Sequence, residues 1–230
     1  MTTKRLHQLP PTPTLRFSPP AWAKLLFLRD AGDTEVGGFA ISAPDDLFYL
    51  GDLALVRQSC TSVTVKFDDT AVADFFDRQV DEGQRPEQFA RVWVHTHPGD
   101  CPLPSRTDEE TFARVFGSSD WAVMFILAQD GQTYARLQFN IGPGGSLLIP
   151  VEIDYSQPFS GSDEATWADE YLASVVVEPP VLCAERNALS VPARHDAFDV
   201  PSHEGWFDPW GLDDFGNQDL FREEAWYDLR

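Results

Sequence analysis

Ala-Arg-Val-Trp-Val-His-Thr-His, residues 90–97, runs into Pro-Gly-Asp-Cys-Pro-Leu-Pro, residues 98–104, and then into Ser-Arg-Thr-Asp-Glu-Glu-Thr-Phe-Ala-Arg-Val-Phe-Gly, residues 105–117. The first piece is β-branched and aromatic and of strand length. Pro98, Pro102 and Pro104 stop that strand and turn the chain, and the third piece opens with Ser105 and, three residues on, Asp108, the pattern that caps a helix start. The stretch reads as strand, loop and helix. His95 and His97 stand two apart, so on a strand both imidazoles project from one face, and the first helical turn brings Asp108 back beside them. Two neutral imidazoles and one carboxylate leave a divalent zinc with net positive charge and an open fourth position, which is the arrangement of a catalytic rather than a structural site. Each half alone has a plainer reading: a capping box for Ser105 and Asp108, an ordinary histidine pair for His95 and His97. The combination is much less accidental.

Working outward, residues 35–67 hold β-type runs over 35–42, 47–56 and 61–67, separated by Pro, Asp, Gly and Ser, and predict adjacent strands of a meander. Gly37 and Gly38 are poor strand formers and mark either a close approach of backbone or substrate, or a bulge. Residues 21–33 place Trp22, Leu25, Leu26 and Leu28 at helical spacing before Gly32. Residues 68–83 put Val72, Phe75, Phe76 and Val80 on one helical face behind an Asp-rich start, which suits the positive end of the helix dipole. Two apolar runs flank Asp130-Gly131, the dipeptide of tight turns whose central residues need positive φ, and predict a hairpin. Pro10, Pro11, Pro13, Pro19 and Pro20 make the first 20 residues an extended arm.

The composition bounds the function. In 230 residues, 43% are hydrophobic and 23% charged, which excludes a disordered or collagenous chain. The net charge of −20 repels a phosphate backbone, so nucleic acid is excluded as a partner and a basic protein is favoured. No apolar run reaches the roughly 18 residues that cross a bilayer, and the first residues lack the apolar stretch of a signal peptide, so neither a membrane nor export is expected. Three widely spaced cysteines, Cys60, Cys101 and Cys183, do not form a secreted disulfide framework and fit a reducing cytoplasm. Residues 163–230 hold 16 acidic and 4 basic side chains, so −12 of the −20 lies there, together with eight aromatics in the final 35 residues that need a surface to dock on.

His95-Thr96-His97-Pro98, six intervening residues and Ser105-x-x-Asp108 resemble the metal motif of the JAMM (MPN-plus, JAB) zinc metalloproteases, and upstream Glu35-Val36-Gly37-Gly38 is similar to that family's glutamate-containing first strand. The resemblance spans about residues 21–155. It implies an α/β (α+β) fold of the cytidine-deaminase-like MPN/JAB type, a curved mixed β-sheet flanked by helices. It implies one zinc per chain on His95, His97 and Asp108, with Glu35 as acid/base and Ser105 as the hydroxyl beside the scissile carbonyl. Thr96 stands where the family usually has Ser, and Ala40 where a larger aliphatic is usual. The implied catalytic domain is 21–155, beside the proline-rich arm (1–20) and the acidic, aromatic-rich extension (156–230) that composition sets apart.

The implied activity is hydrolysis of an isopeptide or peptide bond after the C-terminus of a ubiquitin-like protein, in the prokaryotic JAB-domain isopeptidase manner. The substrate is then a ubiquitin-like protein or its conjugate. Two other readings stand beside it, a non-catalytic scaffold of the same fold and an amidase acting on small-molecule or carrier-protein conjugates. Cys101 lies in the loop between the second histidine and Ser105 and is read as a plain thiol, because a fourth protein ligand would close the site. His7 carries no pattern, and His195 and His203 read as loop histidines. The extension either straps back over the core or docks a protein of the conjugation pathway through aromatic anchors with an acidic rim.

Overall fold

The computed structural model describes residues 12–179. Expectations for residues 1–11 and 180–230, including His7, Cys183, His195, His203 and most of the acidic extension, lie outside the described residues. In chain order the elements are β1 (Leu15–Phe17), α1 (Pro19–Asp30), β2 (Gly37–Ala43), β3 (Asp46–Ala54), β4 (Gln58–Cys60), β5 (Val65–Phe67), α2 (Asp69–Asp81), α3 (Pro86–Phe89) and β6 (Val92–His97). They continue with α4 (Arg106–Phe116), β7 (Trp121–Ala128), β8 (Thr133–Phe139), β9 (Gly145–Leu148), β10 (Val151–Ile153), α5 (Glu164–Ser174) and β11 (Val175–Val177).

Eight strands form one mixed sheet in the order β10-β1-β3-β2-β6-β7-β8-β9, and three form a second in the order β11-β4-β5. In the large sheet β1 runs parallel to β10 and β3, and β6 runs parallel to β7; the other neighbours are antiparallel. Helices cover both faces. On one, α1 buries Ala21, Leu25 and Leu28 against Val36, Ala40, Leu50, Val92, Val94, Val123 and Phe125. On the other, Phe75, Phe89, Phe112 and Phe116 of α2, α3 and α4 meet Phe39, Trp93, Met124 and Ile126. Each fully buried side chain of this size contributes about 1.5–3 kcal/mol, so the sheet is held from both sides. The expected class, α/β (α+β) with a mixed sheet flanked by helices, is the class observed. Among the described residues no helix is long and apolar enough to cross a membrane.

The helix starts follow their local chemistry. Ser18 Oγ accepts from Ala21 N at 3.2 Å, and Pro19 and Pro20 occupy first-turn positions where a missing N–H leaves no bond unmade. Asp68 caps α2 by accepting from Ala71 N at 2.9 Å. Phe75 of that helix is buried as its period predicts, but Val80 is exposed and Gln79 takes the inward position instead. The hairpin forms where expected, between β7 and β8, with a different turn. Gly131 N donates to Ala128 O, Ala128 N to Gln132 O, and Gly131 takes positive φ, at +88°. The loop is the three residues Gln129, Asp130 and Gly131, a tight turn followed by a left-handed glycine rather than a two-residue turn.

Three expectations need correction. The segment read as an extended arm is not free of the core: Leu15 and Phe17 are fully buried in β1, and Pro19 and Pro20 begin α1. Proline punctuation marked the break between two ordered elements. The meander holds for β2 and β3 only, because β4 and β5 leave the large sheet and form a second one in which β4 pairs with β5 on one side and β11 on the other. The boundary placed at 155/156 is not where packing ends, since β11 pairs with β4 and Glu170 of α5 meets buried Lys24 of α1 at 2.6 Å.

Candidate metal centre

The strand-loop-helix stretch builds the site as its spacing predicts. Alternation along β6 turns Trp93, His95 and His97 to one face and Val92 and Val94 to the other. The loop after His97 returns the chain to Ser105, the cap of α4, where Ser105 N donates to Asp108 Oδ2 at 2.7 Å and Asp108 N donates to Ser105 Oγ at 3.2 Å. The capping box therefore exists, and the same carboxylate faces both imidazoles. Asp108 Oδ1 lies 3.5 Å from His95 Nε2, and Asp108 Oδ2 lies 3.6 Å from His97 Nε2. The two readings of Asp108 are compatible because capping uses one lone pair of one oxygen and leaves the rest of the carboxylate available.

Glu35 joins from a distant segment just upstream of β2. Its Oε1 lies 3.8 Å from His97 Nε2, and the side chain is buried. Several contacts hold that segment in place. Glu35 N donates to Thr61 O at 2.8 Å, Thr96 N donates to Val36 O at 2.9 Å, and Val36 N donates to Thr96 Oγ1 at 3.1 Å. The Gln58 amide brackets Gly37, accepting from Gly37 N and donating to Gly37 O, both at 2.8 Å. Gly37 pairs in register with His95, so the ladder that fixes β2 also fixes the separation between glutamate and histidine. Thr96 shows what its position requires, a hydroxyl acceptor.

The glycines are explained by close packing within the protein. A Cβ on Gly38 would sit 2.7 Å from the Ala54 carbonyl oxygen, and one on Gly37 would sit 2.9 Å from Val65 Cγ1. The irregularity of β2 lies farther on, between Ile41 and Ala43, so the bulge reading of the glycine pair fails.

Do these residues fit a metal? The ligand atoms of His95, His97 and Asp108 all lie within 4.8 Å of one another. A tetrahedral ion with bonds of about 2.0–2.1 Å places its donors about 3.3–3.4 Å apart, close to the spacings on either side of Asp108. His95 Nε2, His97 Nε2 and Glu35 Oε2 are buried and have no hydrogen-bond partner, the state of donors that await a cation. His97 Nδ1 lies 2.8 Å from the Cys101 carbonyl oxygen, a bond that puts the proton on Nδ1 and frees Nε2 to ligate. The group can hold a metal ion. Cys101 contributes its backbone here, and its exposed thiol stands outside the ligand group.

The electrostatics follow from burial and mutual contact. Burial pushes the Glu35 carboxyl up to about 7, with His97 pulling against it and Asp108 adding to it. Burial also pulls His95 below its ordinary value, favouring the neutral, ligating form. For His97 the Asp108 carboxylate, the Cys101 carbonyl and Glu35 outweigh burial and raise it. Asp108 is held well below the usual carboxylate range, because burial is overcome by His95, His97 and Ser105. Cys60, buried near Glu35, is driven up to about 12 by burial first and then by Glu35 and Glu178, so it stays an unreactive thiol.

All five expected site residues stand in one neighbourhood, with Ser105 at its exposed rim. Sequence reasoning missed Gln58, Thr61 and Trp93. Gln58 gives no local signal, since its role depends on a strand it meets only in the fold. The chain matches no protein-family model and no curated protein.

Proposed function

We propose that this chain is a zinc-dependent hydrolase of the JAMM (MPN-plus, JAB) kind, with a cytidine-deaminase-like sheet. Its reaction is cleavage of the isopeptide or peptide bond that follows the C-terminus of a ubiquitin-like protein. The observation that carries the proposal is the convergence of buried His95 and Asp108 with half-buried His97, the Nε2 atoms of both histidines having no hydrogen-bond partner and Glu35 lying 3.8 Å from His97 Nε2. The donor set of two imidazoles and one carboxylate suits zinc and leaves room for one exchangeable position. An open groove lined by Asp33, Pro98, Gly99 and Gln129 borders the loop after His97, and none of the five site residues lines it.

Zinc held by these ligands supplies Lewis acidity, polarising an amide carbonyl and bringing water within reach of ionisation near neutral pH. Glu35 has the position of a proton carrier: Oε2 is unpaired and Oε1 lies 3.8 Å from His97 Nε2, where a carboxylate can take a proton from attacking water and return it to the departing amine. Ser105 Oγ accepts from the Asp108 backbone, so its own O–H proton remains to donate to the carbonyl oxygen as negative charge develops there. The Cys101 carbonyl orients the His97 imidazole.

The test is incubation with ubiquitin-like proteins carrying a C-terminal fusion, with and without chelator, read by intact mass. The expected result is cleavage directly after the ubiquitin-like domain, abolished by chelation and restored by zinc. Zinc-loaded protein that binds the fusions and leaves them intact supports the scaffold reading. Cleavage of small amide conjugates alone supports the amidase.

A further inference from the structure

We infer that Trp93 is a positioning residue of the metal centre, its indole face holding the His95 imidazole in the orientation that a hydrogen bond secures for His97. This inference rests on the metal centre alone and not on the proposed hydrolysis. The two histidines are supported differently. His97 Nδ1 is fixed by the Cys101 carbonyl oxygen at 2.8 Å. His95 is fully buried, and its Nδ1 has no hydrogen-bond partner. A metal-bound imidazole ordinarily has its second nitrogen anchored, and an unanchored ring rotates about its Cβ–Cγ bond and carries Nε2 off the ion.

What restrains His95 is a ring face. Trp93 stacks on it with centroids 4.3 Å apart and planes inclined by 27°. The indole is clamped in turn by Phe112 at 6.4 Å and 18°, and by Phe116 at 6.5 Å and 23°. Phe112 and Phe116 follow Asp108 at successive four-residue steps on α4, and all three are buried. One helix face therefore supplies a ligand from its first turn and the backing of the other ligand from its later turns. The Trp93 Nε1 atom is itself buried without an acceptor, a burden that a phenyl or aliphatic side chain would not carry. The indole adds no hydrogen bond to the core, and what it offers is a broad flat face parallel to the imidazole.

The experiment compares W93F and W93L with the wild-type chain. Zinc affinity is measured by competition with a chromophoric chelator, and melting temperature is measured on the metal-free proteins. Both variants lower the melting temperature by removing buried surface. W93L is expected to bind zinc about 10- to 100-fold more weakly, as loss of a ligand's orienting partner does. W93F, which keeps a stacking face, is expected to stay within about threefold of wild type. With cobalt as probe, W93L shifts the visible absorption of the bound ion and W93F preserves it. Wild-type affinity in W93L, equal weakening in both variants, or affinity that simply tracks melting temperature overturns the inference. Should W93L not fold, W93M makes the same comparison. A wild-type chain that takes up no zinc overturns it together with the metal centre, whereas zinc binding without hydrolysis counts against the hydrolase alone.

Discussion

The two faces of β6 share one backbone and differ in everything else. Val92 and Val94 look into an apolar layer under α1. Trp93, His95 and His97 look the other way, and along that face the environment changes from stacked rings to unpaired nitrogens beside two carboxylates. The first face contributes cohesion and the second spends some of it, because buried polar atoms without partners cost about 1–3 kcal/mol each. The strand's dry side stabilises an arrangement its other side would not sustain alone.

That division of labour is open to test by changing one face at a time. The largest effect belongs to the ligands. His95→Ala removes a donor outright and should lower zinc affinity by more than about 100-fold, beyond what loss of an outer partner does. Asp108→Asn is sharper: the amide oxygen still accepts from Ser105 N, so the α4 cap survives and the metal-free protein loses only the carboxylate's contacts with His95 and His97, while zinc affinity falls comparably. A large thermal loss in Asp108→Asn would show that the carboxylate serves the helix more than the metal. Next comes Glu35→Gln, which should keep stoichiometric zinc, measured by elemental analysis, and slow cleavage by roughly 10²- to 10⁴-fold, or about 3–5 kcal/mol.

Val94→Ala on the opposite face should do the reverse. It should cost about 2 kcal/mol in denaturant unfolding and leave zinc affinity unchanged. A comparable shift comes from Glu35 without metal. A carboxyl whose pKa in the folded chain is raised from 4.5 to about 7 contributes stability that is complete below pH 4.5 and is lost as pH rises through 7. Chelated Glu35→Gln should therefore be more stable than chelated wild type at pH 8, by about 1–3 kcal/mol, and nearly equal to it at pH 4.5. The raised pKa of His97 has the same sign; the variant removes its Glu35 cause and keeps those from Asp108 and the Cys101 carbonyl. Melts of the two proteins that stay parallel across this range would show that Glu35 is not held in a dry site. The smallest effect is Cys101→Ala, where zinc binding should not change because only the backbone carbonyl is used.

Much of this was legible in the chain. The period of two that aligns His95 with His97, the capping box at Ser105 and Asp108, the Asp68 start of α2 and the glycine of the β7–β8 turn are dictated by residues within a few positions of one another. Glu35 was reached through the resemblance, since no local pattern marks it. The proline-rich start misled because proline reports where a helix cannot continue and says nothing about whether the residues between breaks are buried, as Leu15 and Phe17 are.

The sequence by itself determined which donors exist, that two of them face the same way and that a third returns in the first turn of a helix. Only the tertiary structure decided that Gly37 pairs with His95, that Gln58 and Thr61 pin the glutamate segment, and that Trp93 lies against His95 with α4 behind it. Periodicity and caps are set by neighbours along the backbone. Strand order and ring stacking are set by which distant surfaces bury each other best, and no window of sequence contains both partners.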